Sequence, residues 1–268
     1  MDERHLSDFT SDTAPGTTAK ARVGADPGPW SPGPVDRASM LHRWDNLTFL
    51  HWPVEPAAVQ RLLPAGLAVQ TFDGVAWVGL VPFEMVVTLP WLAPVPWVSR
   101  FAETNVRTYV RAADGTTGVW FLSLDAARLG AVITGRTSYR LPYYWSRMSV
   151  ATAGSVVTYR SRRRWPGLGR PGCEVAIEVG ERIDPADETA MDHWLTARFR
   201  LYSASVGGIR SAPADHLPWT LHRAGLLHCD ERLVAAAGLP DPVGDPVAHW
   251  SPGVEVRVGF PHPVRGGR

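Results

Sequence analysis

The chain has 268 residues, 45% of them hydrophobic, and a formal net charge of +1 at pH 7. The hydrophobic share is ordinary for a globular protein with a substantial core. The near-neutral charge argues against a general nucleic-acid binder, for which a strongly basic surface is expected.

The first part of the chain predicts a leader followed by folded structure. Residues 1–38 are rich in Gly, Pro, Ser, Thr and Asp and show no apolar period. This composition predicts a disordered leader before a single domain over 39–268. A strand is predicted over 46–54, and a short helix over 55–63 that has proline in its first turn.

A turn signal at Asp73-Gly74 predicts a hairpin between strands over 67–72 and 75–87. Pro82 in the second strand indicates a bulge or a sheet edge, because proline cannot donate to the ladder. The Pro-rich aromatic segment 91–97 is interpreted either as a lid over a pocket or as part of the outer wall.

The stretch 101–148 holds the densest mixture of charged and aromatic residues, and the rest of the chain is organised around it. Its first strand, 101–110, places four polar side chains on one face and β-branched residues on the other, because side chains alternate with period two. A nearly all-apolar run over 118–124 predicts a strand buried on both faces. Asp125 suits the N-cap of a helix over 126–135.

The remaining elements are strands and short helices. Three consecutive arginines, Arg162, Arg163 and Arg164, are interpreted as a solvated strand end rather than a phosphate or nucleic-acid patch. The absence of a βαβ rhythm predicts an α+β fold: a large, mostly antiparallel sheet, closed or strongly curled into a β-barrel-like form with a few flanking helices. The predicted elements are strands over 143–150, 155–165, 173–182, 217–229 and 247–260, a hairpin over 201–211, and helices over 184–199 and 230–237.

Targeting signals and metal motifs are missing from the sequence pattern. The N-terminus lacks the apolar core of a secretory signal, and no apolar run reaches about 18 residues. The two cysteines, Cys173 and Cys229, lack metal-ligand spacing and fit a reducing compartment. We therefore expect a cytoplasmic protein with no membrane partner, no nucleic-acid partner, no metal and no cofactor. Homo-oligomer formation stays open.

The polar face of the 101–110 strand is the candidate site. In an aromatic cavity, Glu103 would have a raised pKa and act as acid or base, and Tyr144 would donate a hydrogen bond to developing negative charge. Arg107 would clamp a carboxylate or phosphate. The candidate substrate-binding residues are Asn105, Arg107, Tyr109, Trp120 and Arg147. The alternatives are a buried polar network that only joins strands, or an outer face in water.

One lysine, Lys20, occurs among the 27 basic residues, and it lies in the predicted leader. The folded region therefore has no lysine amine for Schiff-base chemistry.

Several blocks resemble the YqjF-like bacterial family of unknown function. They are FxHWPV at 49–54, DGVAWVG at 73–79 with VPF at 81–83, ExNVRTYV at 103–110, GVWFxSLDA at 118–126, and LPYY with RM over 141–148. More distantly, a strand with a glutamate, an apolar strand ending in Asp, an Ala/Gly-rich helix and a Pro-led strand follow one another as in acetoacetate decarboxylase. That resemblance implies a closed barrel-like cavity flanked by helices. It places Glu103 like the decarboxylase's strand glutamate, and Tyr143-Tyr144 where its Schiff-base lysine stands.

Two functions agree with these observations. The first is a lyase- or isomerase-like enzyme that performs acid–base chemistry on a small oxo- or carboxylate-bearing metabolite without a Schiff base. The alternative is a non-catalytic small-molecule binding protein on the same fold. Both require Glu103, Arg107 and Tyr144 to point into one cavity, and a shallow surface would instead favour an interaction scaffold.

Overall fold

A computed structural model describes residues 30–88, 99–167 and 169–264. The predicted leader up to residue 29 and the aromatic segment 91–97 lie outside these ranges. The strands are β1 (Ala38–Val54), β2 (Leu67–Val69), β3 (Ala76–Thr88), β4 (Arg100–Ala112), β5 (Thr117–Ala126), β6 (Tyr143–Ala153), β7 (Val156–Trp165), β8 (Gly172–Arg182), β9 (Arg200–Ser205), β10 (Gly208–His216), β11 (His222–Glu231), β12 (Val247–Gly259) and β13 (His262–Pro263). The helices are α1 (Pro56–Gln60), α2 (Leu129–Ser138), α3 (Ala190–Thr196) and α4 (Leu233–Ala236).

The strands form one sheet that closes on itself twice. Pairing of β4 with β5 closes a nine-stranded circuit in the order β5, β6, β7, β8, β11, β12, β1, β3, β4. Pairing of β10 with β12 closes a seven-stranded circuit in the order β5, β9, β10, β12, β1, β3, β4. Neighbouring strands are antiparallel except where β5 meets β6 and β9. The predicted closed, mostly antiparallel barrel with flanking helices is therefore confirmed.

Five strands, β12, β1, β3, β4 and β5, belong to both circuits and form a shared wall with two enclosed faces. One face of this wall carries Leu50, Leu80 and Val106, which pack against Tyr159 and Ile177 across the nine-stranded circuit. All five of these side chains are at most 1% exposed, so the interior of that circuit is a filled apolar core. The other face of the wall lines the seven-stranded circuit.

Pro82 lies beside a bulge in β1, as the sequence predicts. β1 has one residue more than β3 between the pairs Asp45–Glu84 and Leu50–Leu80. Asn46, inside this bulge, has a φ of 48°, in the left-handed region that asparagine tolerates. The N–H that proline lacks therefore falls where the ladder between β1 and β3 is already interrupted. The extra residue also shifts the alternation of side chains along β1. Even-numbered residues such as His42 and Trp44 face the seven-stranded circuit before the bulge, and the odd-numbered Leu47 faces it afterwards.

The predicted hairpin between strands 67–72 and 75–87 is wrong in its pairing. Asp73 and Gly74 do form a turn, with φ values of 49° and 80°, and Phe72 and Val75 form an isolated bridge beside it. The strand before the turn, β2, pairs with β4 and not with β3. A turn signal specifies a local reversal but leaves the choice of partner strand to packing.

The predicted helix over 184–199 is limited to the seven residues of α3. Thr189 and Asp192 form a capping box that starts it at Ala190. Before the cap, the Asp184 carboxylate accepts a hydrogen bond from the Ala186 N–H, a local turn that competes with helix. No helix in the described ranges is both long and apolar enough to cross a bilayer.

Asp125 does not cap a helix, which corrects the sequence prediction. It lies in β5 and is completely buried, with Oδ1 2.9 Å from Nε of Arg163. The hydroxyls of Ser146 and Ser161 donate to its other oxygen. The predicted solvated arginine run is therefore wrong for Arg163, while its two sequence neighbours are exposed. α2 begins at Leu129 without a side-chain cap.

Candidate functional site

The seven-stranded circuit encloses a cavity of about 510 Å³. Every strand of that circuit contributes to its lining, and α2, Tyr139, Leu141 and Tyr143 complete it. The lining is mostly apolar, and its volume is in the range of small-molecule sites in proteins. Its side chains with polar or charged groups are His42, Trp44, Thr88, Ser99, Glu103, Asn105, Arg107, Thr134, Tyr139, Tyr143, Thr196, Arg198, Arg200, His216 and Trp219.

β4 supplies the charged part of the lining by simple alternation. Phe101, Glu103, Asn105 and Arg107 all face the cavity, as expected for every second residue of a strand. The sequence interpretation of an inward polar face is correct for these residues. The opposite face of β4 is not in water either, because it packs into the filled core.

Glu103 is a buried acid that stays protonated near neutral pH. Its burial raises the pKa to about 8, although hydrogen bonds from Tyr143 and Asn105 act in the opposite direction. The Tyr143 hydroxyl donates to Oε2 over 3.2 Å, and burial raises the pKa of Tyr143 well above 10, so this donor keeps its proton. The Glu103 proton is then available to a molecule in the cavity.

Arg107 is a buried cation for which the described part of the chain supplies no countercharge. Its Nη2 donates to the carbonyl of Leu195 over 3.2 Å, and its Cζ lies 5.3 Å from the Phe49 ring centroid. Nε has no hydrogen-bond partner, and among the described residues no carboxylate lies within 4.0 Å of the guanidinium. A charge in such surroundings favours an anion from outside the protein.

Four of the predicted site residues do not line the cavity. Tyr144 lies against the guanidinium of Arg163, whose Cζ is 3.7 Å from the ring centroid. Arg147 is exposed on β6, and Trp120 packs beside the buried cluster that contains Tyr202. Tyr109 is completely buried and donates to the carbonyl of Leu195. The expectation that Glu103, Arg107 and Tyr144 share one cavity is therefore wrong for Tyr144, and the hydroxyl next to Glu103 belongs to Tyr143, one residue before it.

The sequence interpretation also missed cavity residues on other strands. His42 and Trp44 line the cavity from β1, and His216 and Trp219 from the region of β10. The sequence did contain a signal for the first pair, because Met40, His42 and Trp44 are every second residue and would share one face of a strand. The strand was predicted to start only at residue 46, so this face was not considered. Trp44 and Trp219 stack with ring centroids 6.0 Å apart.

Gly135 in α2 leaves the space that the Tyr143 ring occupies, because a Cβ on Gly135 would collide with that ring. Gly135→Ala should therefore displace Tyr143 and lower the melting midpoint, although alanine is normally the better helix former. Gly130→Ala is the matched control in the same helix, because its Cβ would meet nothing within 4 Å. Thermal unfolding monitored by circular dichroism measures both. A Gly135→Ala protein as stable as Gly130→Ala would contradict the expectation.

Comparison with known families gives a match over most of the chain. The model of the family DUF2071, described as an uncharacterized conserved protein, matches residues 41–255. The uncharacterized protein YqjF of Bacillus subtilis (strain 168) is 32% identical over 217 residues, which cover 79% of this chain and 87% of that protein.

Solved structures with the same fold are distant in sequence. The acetoacetate decarboxylase of Legionella pneumophila aligns with a TM-score of 0.56 and 11% identity, over 87% of this chain and 92% of that one. An acetoacetate decarboxylase-like enzyme from Sphingomonas wittichii RW1 aligns with a TM-score of 0.59 and 14% identity, over 86% and 94% of the two chains. The enduracididine biosynthesis enzyme MppR, complexed with pyruvate, aligns at 0.57 and 13%, over 84% and 90%. At these identities the similarity shows the fold alone.

Proposed function

This chain belongs to the DUF2071 family, and we propose that its cavity binds a small oxo- or carboxylate-bearing molecule, to which Glu103 transfers a proton without a Schiff base. One observation carries the proposal: the buried carboxyl group of Glu103 and the buried guanidinium of Arg107, which has no carboxylate partner in the described ranges, lie on the same face of β4 and line the same cavity. The partner proposed for this protein is accordingly a small molecule.

Arg107 is the proposed anion-binding residue of the site. Its guanidinium is fixed by the Leu195 carbonyl and lies near the Phe49 ring. Because Nε is buried without a partner, a carboxylate placed beside it would gain a charge-assisted hydrogen bond in a low-dielectric site. Asn105 lies between Arg107 and Glu103 on the strand, and its Oδ1 also lacks a partner.

Glu103 is the proposed proton donor and acceptor of the site. An acid with a pKa near the working pH is an effective proton donor and, once ionised, an effective acceptor. Tyr143 holds one carboxyl oxygen and stays protonated, so it also donates to negative charge that develops at Glu103. The only lysine of the chain precedes the described residues, which is why the proposed chemistry involves no imine. The pyruvate bound to the similarly folded MppR supports an oxo acid as the first compound to test.

Arg107→Met should weaken the binding of small oxo acids without destabilising the protein. The substitution removes an uncompensated buried charge and keeps most of the side-chain volume, so the melting midpoint should stay within a few degrees of wild type. Binding of pyruvate and its longer homologues, measured by isothermal calorimetry, should weaken at least tenfold. Arg147→Met, on the exposed strand β6, is the control. Equal binding by both variants would exclude Arg107 as the anion site.

A non-catalytic binding protein is the second candidate, and the mostly apolar lining favours it, because Glu103 is the one carboxyl group among the described lining residues. Glu103→Gln separates the two candidates. If the site is catalytic, the variant should bind the acid and lose turnover of any compound that the wild type converts. If wild type binds oxo acids and no product is detected by mass spectrometry, the binding role is supported and proton transfer is not.

A further inference from the structure

One end of the cavity holds buried polar atoms that have no hydrogen-bond partner among residues 30–88, 99–167 and 169–264. Both ring nitrogens of His42 and Nε1 of Trp44 are buried without a hydrogen-bond partner in the described part of the chain. Both side chains line the cavity, because residues two apart on β1 share a face. Buried polar groups are normally hydrogen-bonded, so two neighbouring exceptions in a cavity wall need an explanation.

This end lies at a different level of the shared wall from Arg107. His42 pairs with Val87 on β3, whereas Arg107 pairs with Gly79 on the same strand. The two levels are eight residues apart on β3. The side chains are nearer than the backbone levels suggest, because the Phe49 ring contacts both Arg107 and Trp219, and Trp219 stacks on Trp44. Glu103 pairs with Phe83 and therefore lies midway between them. The cavity thus follows the shared wall, with a cation at one end, the acid in the middle and the imidazole at the other end.

The chemistry of the far end suits an uncharged group. Burial lowers the pKa of His42 to about 4, so the ring is neutral at neutral pH. A neutral imidazole donates through one nitrogen and accepts through the other, and the Trp44 indole only donates. A hydroxyl can both donate to and accept from this pair. The Trp219 ring and the Phe83 edge pack against Trp44. The centroid of the His216 ring lies 6.2 Å from that of Trp44, and its Nε2 is a further buried nitrogen without a partner in the described ranges.

We propose that the ligand is an elongated acid whose far end carries an uncharged hydroxyl group, and that His42, assisted by Trp44, is the residue that selects for it. This inference rests on the proposed function, since the acid group is the one bound by Arg107. An apolar residue in place of His42 would satisfy the fold better, so the imidazole is explained by the ligand and not by the protein interior.

The test uses matched pairs of acids that differ only at the far end. Octanoate, dodecanoate and hexadecanoate are each compared with their ω-hydroxy analogues, and dissociation constants are measured by tryptophan fluorescence on the full chain. We expect wild type to prefer the hydroxy acid about fivefold at one of these lengths, which is the contribution of one hydrogen bond. His42→Leu should remove the preference, His42→Gln should retain part of it, and His228→Leu, an exposed histidine on β11, should not change it.

The outcomes separate this inference from the proposed function. If acids bind to wild type but the hydroxy and plain forms bind equally, and His42→Leu changes nothing, the far-end inference is wrong and the Arg107 site stands. If none of these acids binds but pyruvate or a longer oxo acid does, the far-end inference is wrong and the Arg107 site stands. If no oxo acid binds either, the proposed function is wrong, and the inference that rests on it is wrong too. A measurement without ligand gives a second check: His42→Leu should raise the melting midpoint by about 2–4 °C, because it removes unsatisfied buried nitrogens. A lower midpoint would show that the imidazole stabilises the scaffold, and would overturn its assignment to a ligand.

Discussion

Replacing Arg163 by methionine should lower the free energy of unfolding by about 3–5 kcal/mol, because it leaves Asp125 buried without a countercharge. The side chains of Asp125 and Arg163 are 0% and 4% exposed, and the two bonded atoms are 2.9 Å apart. The hydroxyls of Ser146 and Ser161 remain as donors but carry no charge that could replace the guanidinium. Urea denaturation at pH 7 measures the change.

Arg160 on the same strand provides the matched control. Its Nη2 lies 2.6 Å from Oε1 of Glu174, but both side chains are exposed, so Arg160→Met should have little measurable effect. The double variant Asp125→Leu with Arg163→Met should recover much of the lost stability, because an apolar pair replaces the ion pair without leaving an orphaned charge. Similar losses from the Arg160 and Arg163 substitutions would mean that Asp125 is not isolated from water.

Glu103→Gln should change how stability depends on pH, and in a defined direction. Burial raises the pKa of Glu103 from 4.5 to about 8, so between these values the folded protein keeps a proton that the unfolded chain has released. The contribution of Glu103 to the free energy of unfolding therefore falls as pH rises through this window, by about 1.4 kcal/mol per pH unit. Glutamine has no such proton. The free energy of unfolding of the variant minus that of wild type should rise with pH and level off above about 8.

The comparison between variant and wild type is necessary because His42 contributes the opposite slope. Burial lowers the pKa of His42 from 6.5 to about 4, so its contribution to stability increases with pH between those values. Subtraction removes this contribution, which the two proteins share. Glu181→Gln, on the exposed end of β8, should reproduce the wild-type profile. A flat difference for Glu103→Gln would show that water reaches the carboxyl and that its pKa is close to that of a free acid.

The parts of the fold that follow from local alternation were predictable from the sequence. Glu103, Asn105 and Arg107 face one cavity because β4 keeps its period of two through these residues. The position of Pro82 indicated the irregularity between β1 and β3 correctly. The order of elements also predicted the closed barrel, and the residue blocks spread over 49–148 carried the resemblance to the family.

The rest depended on contacts between distant segments. On β5 the pairing with β4 skips Leu122. The alternation of side chains therefore shifts by one residue, so that Phe121 faces the cavity before the skipped position and Leu124 faces it afterwards. No rule for a single strand reveals such a shift, because its partner determines it. Tyr143 and Tyr144 could not be told apart for a similar reason: one fits against Gly135 and the other against Arg163.

The shared wall has two enclosed faces, one packed into the filled core and the other lining the cavity. Val106 belongs to the filled core, and the next residue, Arg107, belongs to the cavity. Substitutions at every second position of β4 can therefore reshape the cavity lining while the intervening side chains keep the packing of the filled core.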